Sequence, residues 1–193
     1  MNKIVLLASV LAFLLAESAL AADTYVFDKK HSTMGFQIRH LFEKIPGKFD
    51  DFDGKIQFDE ANPENSSVDV TIKAASIDTG VEPRDKQLKS SDFFDVEKFS
   101  EITFKSKSVK RTSDNTADIT GDLAMHGVTK EVVPKAELLG RGPNGKGGIN
   151  SGWEATTKLK RSEFGLTWNQ IIEGTQAVGD DVDIDLRVSA DKK

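Results

Sequence analysis

Ser67-Val68-Asp69-Val70-Thr71-Ile72-Lys73-Ala74 sets a valine or isoleucine at every second position and a charged or hydroxylated residue between them. Side chains on a strand point alternately to opposite faces, so a period of two makes one apolar face and one wet face. The pattern returns at Met34, Phe36 and Ile38, at Gly54, Ile56 and Phe58, at Ile102 and Phe104, at Trp153, Ala155, Thr157 and Leu159, and at Val182, Ile184, Leu186 and Val188. The chain therefore reads as all-β, with one large enclosed apolar interior. Function then turns on whether that interior is filled by the protein's own side chains or holds a ligand.

Turn signals divide the sequence at intervals of roughly 8–12 residues, as in a sandwich or barrel. The clearest breaks are Pro46-Gly47, Asp53-Gly54, Asn62-Pro63, Asp114-Asn115 and the stretch from Gly140 to Gly148. Strands are predicted near 24–28, 32–40, 47–58, 66–74, 102–109, 117–125, 131–139, 150–160 and 182–190. Helix is scarce: 81–89 suits one, with Pro83 placed for its first turn, while 96–99 and 161–164 suit single turns. About eight antiparallel strands on one chain close into a barrel, because closure removes exposed hydrogen-bonding edges. Such an interior is just wide enough to be plugged by side chains or to hold one small ligand.

The first residues read as a secretory signal rather than as fold. Lys3 gives a positive start, Ile4 to Leu15 is apolar, and Ala19-Leu20-Ala21 is an A-x-A cleavage signature, so residues 1–21 are expected to be removed and 22–193 to form one domain. The apolar stretch falls short of the about 20 residues that span a bilayer. With no cysteine, the chain has neither a lipid-anchor thiol nor a disulfide, and its stability rests on packing. A formal net charge of −5 argues against nucleic acid, which selects a basic stripe. An outer-membrane barrel is excluded by the Lys, Asp and Glu at alternate positions, where lipid-facing residues are apolar.

Chemistry-bearing motifs are few. His31, His40 and His126 lie far apart and form no metal-ligand spacing, so no metal or cofactor is expected. No nucleophile with a paired base and an oxyanion-forming turn is present, so no enzyme is expected. Gly140-Arg141-Gly142-Pro143-Asn144-Gly145 spells G-x-G-x-x-G, but another strand follows where a phosphate-cradling loop opens a helix; it reads as a hairpin connection. Arg84, Asp85 and Asp92 form the densest polar group and read as an Arg that organises its loop through the flanking carboxylates. The apolar segment from Trp168 to Gly174 either covers a barrel end or joins a second subunit. Twelve Phe against a single Tyr supply ring-sized walls, whether for a packed core or for a cavity.

Four motifs in order resemble the YceI-like family of exported lipid-binding proteins. His31-Ser32-Thr33-Met34-Gly35-Phe36-Gln37-Ile38-Arg39-His40 is similar to its H-S-x-x-x-F-x-I-x-H opening, and Arg84-Asp85-Lys86-Gln87-Leu88-Lys89-Ser90-Ser91-Asp92-Phe93-Phe94-Asp95 to its R-D-x-x-L-x-x-x-D-F-F-D segment, continued by Phe99 to Ser106. Gly121 to Thr129 and Val178 to Ile184 match the other two. The resemblance implies a lipocalin-like antiparallel barrel around a polyisoprenoid or similar long-chain amphiphile, a periplasmic location and frequent homodimerisation.

On that account the expected cavity lining is Met34, Phe36 and Ile38 on one strand, Val68, Val70 and Ile72 on another, and Phe104, Leu123 and Trp153 elsewhere, with Phe93 and Phe94 in a capping loop. Period two also turns His40 inward, at a strand end where a tunnel opens, either to meet a ligand head group or to cap the strand. His31 and Ser32 read as turn-fixing residues. The function expected is therefore a periplasmic lipid carrier; the alternative is an exported, non-enzymatic stress or interaction protein with a filled core.

Overall fold

The computed structural model describes residues 22–172 and 174–193. The expected secretory segment, residues 1–21, lies outside them. In chain order the strands are β1 (Asp23–Phe27), β2 (Thr33–His40), β3 (Glu43–Phe49), β4 (Phe52–Phe58), β5 (Ser67–Lys73), β6 (Ile77–Asp78), β7 (Glu101–Arg111), β8 (Thr116–Met125), β9 (Val128–Val132), β10 (Lys135–Pro143), β11 (Ile149–Lys160), β12 (Ile171–Ile172), β13 (Thr175–Gln176) and β14 (Val178–Lys192). One α-helix, α1 (Glu82–Lys89), follows β6. Strands β1, β4, β5, β7, β8, β10, β11 and β14 pair in that order, and β14 pairs back to β1, so eight antiparallel strands close a barrel.

The longest strand explains how the barrel grows beyond that ring. One edge of β14 takes β2 between Val178 and Arg187, then β1 between Ala190 and Lys192. Thus β1 and β2 are two lengths of one stave, bent at Asp28–Ser32. The Ser32 hydroxyl donates to the Asp28 carbonyl at 2.7 Å and accepts from the Ser189 amide at 3.0 Å, and His31 Nδ1 meets the Asp28 carboxylate at 2.7 Å. These bonds hold the corner in place of the interrupted ladder. β3 pairs with β2, and β4 with β1, in the same broken fashion.

Several boundaries differ from the sequence expectation. The predicted strand 47–58 is two strands parted at Asp50-Asp51, and the first begins at Glu43. Pro46-Gly47 and Asp53-Gly54, expected as turns, lie inside β3 and β4. Both glycines are present because an aromatic ring lies on the backbone there. A Cβ at Gly47 would overlap the Phe36 ring, and one at Gly54 would overlap the Phe27 ring. The predicted strand 131–139 is likewise divided, into β9 and β10, at Val133-Pro134, where Pro134 has no amide but its carbonyl accepts from the Ile119 amide at 2.9 Å. In the glycine-rich stretch, β10 runs on to Pro143 and the turn is confined to Asn144–Gly148, whose Asn144 Oδ1 accepts from the Lys146 and Gly148 amides.

The outer face of the barrel is wet. Cross-strand ion pairs run around it, Lys55 with Asp69, Lys107 with Asp122 and Glu131, and Lys158 with Asp183. Each is exposed and worth little alone, but a lipid-facing wall does not carry such charges at mid-height. No helix among the described residues is long and apolar enough to cross a membrane.

Surface ion pairs and carboxylate-to-amide bonds together shape the pH profile. Asp28 beside His31, Asp59 beneath the Asn62 amide, Glu60 beside Arg141, Asp78 beneath the Gly80 amide and Asp183 beside Lys44 are all held below the usual carboxylate range. Their contribution is present above the unfolded carboxylate values and is lost as pH falls through the lower folded ones. Lys29 beside Asp53, Lys48 beside Asp50, Lys73 beside Glu101, Lys107 beside Asp122 and Lys160 beside Asp181 are raised, so their contribution is lost only as pH climbs through the folded lysine values. Thermal melts should give a Tm that is flat between about pH 5 and pH 9 and falls below about pH 4 and above about pH 10. A Tm that rises on acidification below that point contradicts this assignment.

Candidate ligand-binding site

Apolar side chains at every second position of eight staves converge on the barrel axis, and they do not fill it. A hollow of about 420 Å³ occupies the barrel, and a second of about 380 Å³ lies above it, under α1 and the segment that follows. The two meet at Phe36, Phe49, Met125, Leu159 and Ile184, which wall both. Phe36 and Phe49 meet there at a tilt, 5.7 Å between ring centres, and Phe94 meets Phe49 edge-on at 5.9 Å. Either volume lies in the range of small-molecule sites, which bind by apolar walls and a few fixed polar groups.

The packed core lies to one side. Tyr25, Met34, Phe52 and Ala190 are between 0% and 2% exposed and carry Ile56 and Val70 with them. Around the lumen, Phe36, Val68, Ile72, Phe104, Leu123 and Trp153 remain half-buried although their strands turn them inward: Val68, Ile72, Phe104 and Trp153 pack against that core on one side and border open space on the other.

The structure places each of the expected lining residues on these walls. Met34, Phe36, Val68, Val70, Ile72, Phe104, Leu123 and Trp153 border the lower hollow, and Phe36, Ile38, His40, Phe93 and Phe94 the upper. His40 is exposed at the rim and pairs through its backbone with Glu43 and Val178. The other histidines are elsewhere: His31 at the corner described above, and His126 edge-on to Phe99 at 4.7 Å, with Nδ1 3.1 Å from the Phe164 carbonyl.

Sequence reasoning missed several wall residues. Phe27, Phe49, Ile56, Phe58, Ile184 and Leu186 carry the same period-two signal and face the lower hollow. Arg84, Gln87, Arg161 and Trp168 face the upper one from helix and loops, where no periodicity marks them. Arg84 organises its loop as expected, but through Thr79: its Nε donates to the Thr79 hydroxyl at 2.7 Å and its Nη2 to the Thr79 carbonyl at 2.9 Å, while Asp85 accepts from the Thr79 amide at 2.9 Å. Thr79, not a direct carboxylate pair, therefore ties α1 to β6.

Arg161 is 7% exposed and is satisfied by backbone. Its Nε donates to the Gly179 carbonyl at 2.8 Å, its Nη1 to the carbonyls of Leu166 and Trp168, and its Nη2 to that of Val178. Burial pulls its guanidinium down from the usual range, opposed by Asp180. These bonds hold Trp168 against Phe93, 4.9 Å between rings, over the upper hollow. The segment from Trp168 thus covers a barrel end. At the other end the lower hollow finishes among Glu60, Ser66, Arg111 and Asn115, and an ion pair between Glu60 and Arg141 joins the loop after β4 to β10 on the opposite side of the ring. The arrangement is an apolar tube with a polar rim at each end.

Residues 25–190 match the model of the YceI-like domain. A relative named UPF0312 protein, from Ectopseudomonas mendocina, is 48% identical over 157 residues, covering 80% of this chain and 82% of its own. The crystal structure of the Campylobacter jejuni YCEI protein superposes with a TM-score of 0.71 at 34% identity, over 86% of this chain and 96% of that one. A polyisoprenoid binding domain from Saccharophagus degradans, implicated in plant cell wall breakdown, shares the fold at a TM-score of 0.65 and 15% identity, over 88% of this chain and 98% of that one.

Proposed function

The chain belongs to the YceI-like family, and from that premise we propose that it is an exported periplasmic carrier that holds one long-chain amphiphile, a polyisoprenoid or quinone-like lipid, in its barrel. The observation that carries this reading is the pair of adjoining apolar hollows, walled by Phe, Ile, Val, Leu and Met from the staves. An isoprenoid tail has no hydrogen-bonding group, so it is held by apolar transfer, about 0.8 kcal/mol per buried methylene, and by fit. The polyisoprenoid binding domain of Saccharophagus degradans has the same barrel, which supports a tail of that kind. The polar rim suits a head group, and His40, Arg84 and Gln87 stand at it. Export rests on the composition of residues 1–21. The reading assigns no reaction, since a wall of hydrocarbon holds a guest and does not transform it. It also stands apart from that of a surface-acting protein with a filled core, which leaves no room for a guest.

The test is direct. Protein purified without detergent is extracted with organic solvent, and the same preparation is weighed by native mass spectrometry. An adduct of lipid mass on the intact chain is expected. Added prenyl alcohol, at about 100 times its Kd, is expected to stabilise the emptied protein by about 2.7 kcal/mol, read as a higher Tm. A bare polypeptide whose Tm ignores added long-chain lipid overturns the carrier and favours the protein with a filled core.

A further inference from the structure

The most exposed large apolar side chain of the described residues is Phe42, at 94%, on the two-residue tip between β2 and β3. Beside it, β12 and β13 form a second hairpin that carries Ile171 at 62% and Ile172 at 40% exposure. The first tip is tied to the base of the second hairpin: the Leu41 amide donates to the Ala177 carbonyl at 2.7 Å, Arg39 Nη1 donates to the Leu41 carbonyl at 2.7 Å and to the Gln176 carbonyl at 3.5 Å, and the Ala177 amide donates to the Gln170 carbonyl at 2.9 Å across that base. Both stand at one place in the fold, because His40 and Gln170, the residues next to these tips, line the rim of the upper hollow. By contrast, exposed Leu139 and Ile149 lie on strands β10 and β11, away from that rim.

We propose that these two hairpins, through Phe42 and Ile171-Ile172, dock the protein on the surface of a lipid bilayer, with the end of the upper hollow that His40 and Gln170 line turned toward the leaflet. The inference rests on the lipid-carrier reading and adds to it the surface through which the guest enters. Two observations favour a leaflet over another protein. The apolar groups are on protruding tips, which sink between head groups, and not on a flat face. Three side chains at these exposures offer a few hundred Å², below the roughly 800 Å² per partner of a stable dimer.

Vesicles of mixed phosphatidylcholine and phosphatidylglycerol, loaded with a fluorescent prenyl lipid, test it on the whole chain and on the Phe42→Ser, Ile171→Ser double variant. These side chains line neither hollow, so the variant keeps its cavity. The expected result is that the parent chain floats with vesicles and extracts the probe, while the variant floats about ten-fold less, extracts correspondingly slowly, and binds detergent-solubilised probe as the parent does. Flotation and extraction equal to the parent's overturn the docking inference and leave the carrier reading in place. A parent dimer that the double variant splits in sedimentation overturns it in favour of a second copy of the chain. A parent that takes up no solubilised probe overturns the carrier reading, and the docking inference with it.

Discussion

The Arg161→Met protein is expected to unfold roughly 10 °C below the parent, a loss of about 3–4 kcal/mol for a chain of this length. The number comes from acceptors rather than from the charge. Arg161 donates to four carbonyls, and those of Gly179 and Leu166 lie in buried surroundings. Methionine fills the volume but donates nothing, so each buried carbonyl is left at a cost of about 1–3 kcal/mol. Part of that is offset because a guanidinium no longer has to be desolvated. Arg161→Lys should recover some of the loss, since an ammonium reaches one or two of the four acceptors but lacks the planar fork. Denaturant melts of the three proteins measure this, and a methionine variant within about 1 kcal/mol of the parent would show that water satisfies these carbonyls instead. A second readout separates position from stability. Because the same guanidinium holds the carbonyl of Trp168, tryptophan fluorescence should report a freer indole in folded Arg161→Met.

Arg161 also marks where the sequence is legible and where it is not. The lumen wall is written in period two, so Val68, Val70 and Ile72 announce both the strand and the face that points inward. Closure followed from the number of such runs. What periodicity does not carry is the ending of one strand and the start of the next when both continue the same stave. At Gly47 and Gly54 a turn signal and a packing requirement use the same residue, and here packing under Phe36 and Phe27 decides. Pro46 misled for a related reason: β3 pairs along its length only with β2, and with β6 at just Lys48 and Phe49, so the missing proline amide faces no partner. The upper hollow was half visible. Ile38 and His40 extend a strand pattern into it, whereas Arg84, Gln87, Arg161 and Trp168 reach it from α1, the single turn Arg161–Phe164 and the loop after it, where neighbours in space are not neighbours in any period.

A folded Val70→Asp protein should lose affinity for an added prenyl lipid by at least about 100-fold, equivalent to about 2.7 kcal/mol of binding free energy. Val70 is 9% exposed, belongs to the packed side of the core and borders the lower hollow. A carboxylate there is either ionised without a partner or protonated at a raised pKa, and both states put polar surface where a hydrocarbon tail has to lie. The same change threatens the fold, so a second substitution keeps the test decisive. Ala155 lies on the opposite wall, paired with Ala136 and Leu186. Ala155→Phe directs a ring into open space, where the about 1–3 kcal/mol cost of overpacking a dense core does not arise. Its empty form should therefore melt at or above the parent's temperature while its lipid content falls, because ring and tail compete for one volume. That opposite movement of stability and capacity is not expected of a surface site, on which an interior ring has no bearing. If both variants fold and both retain lipid at the parent's level, as judged by native mass spectrometry, the guest lies outside the barrel.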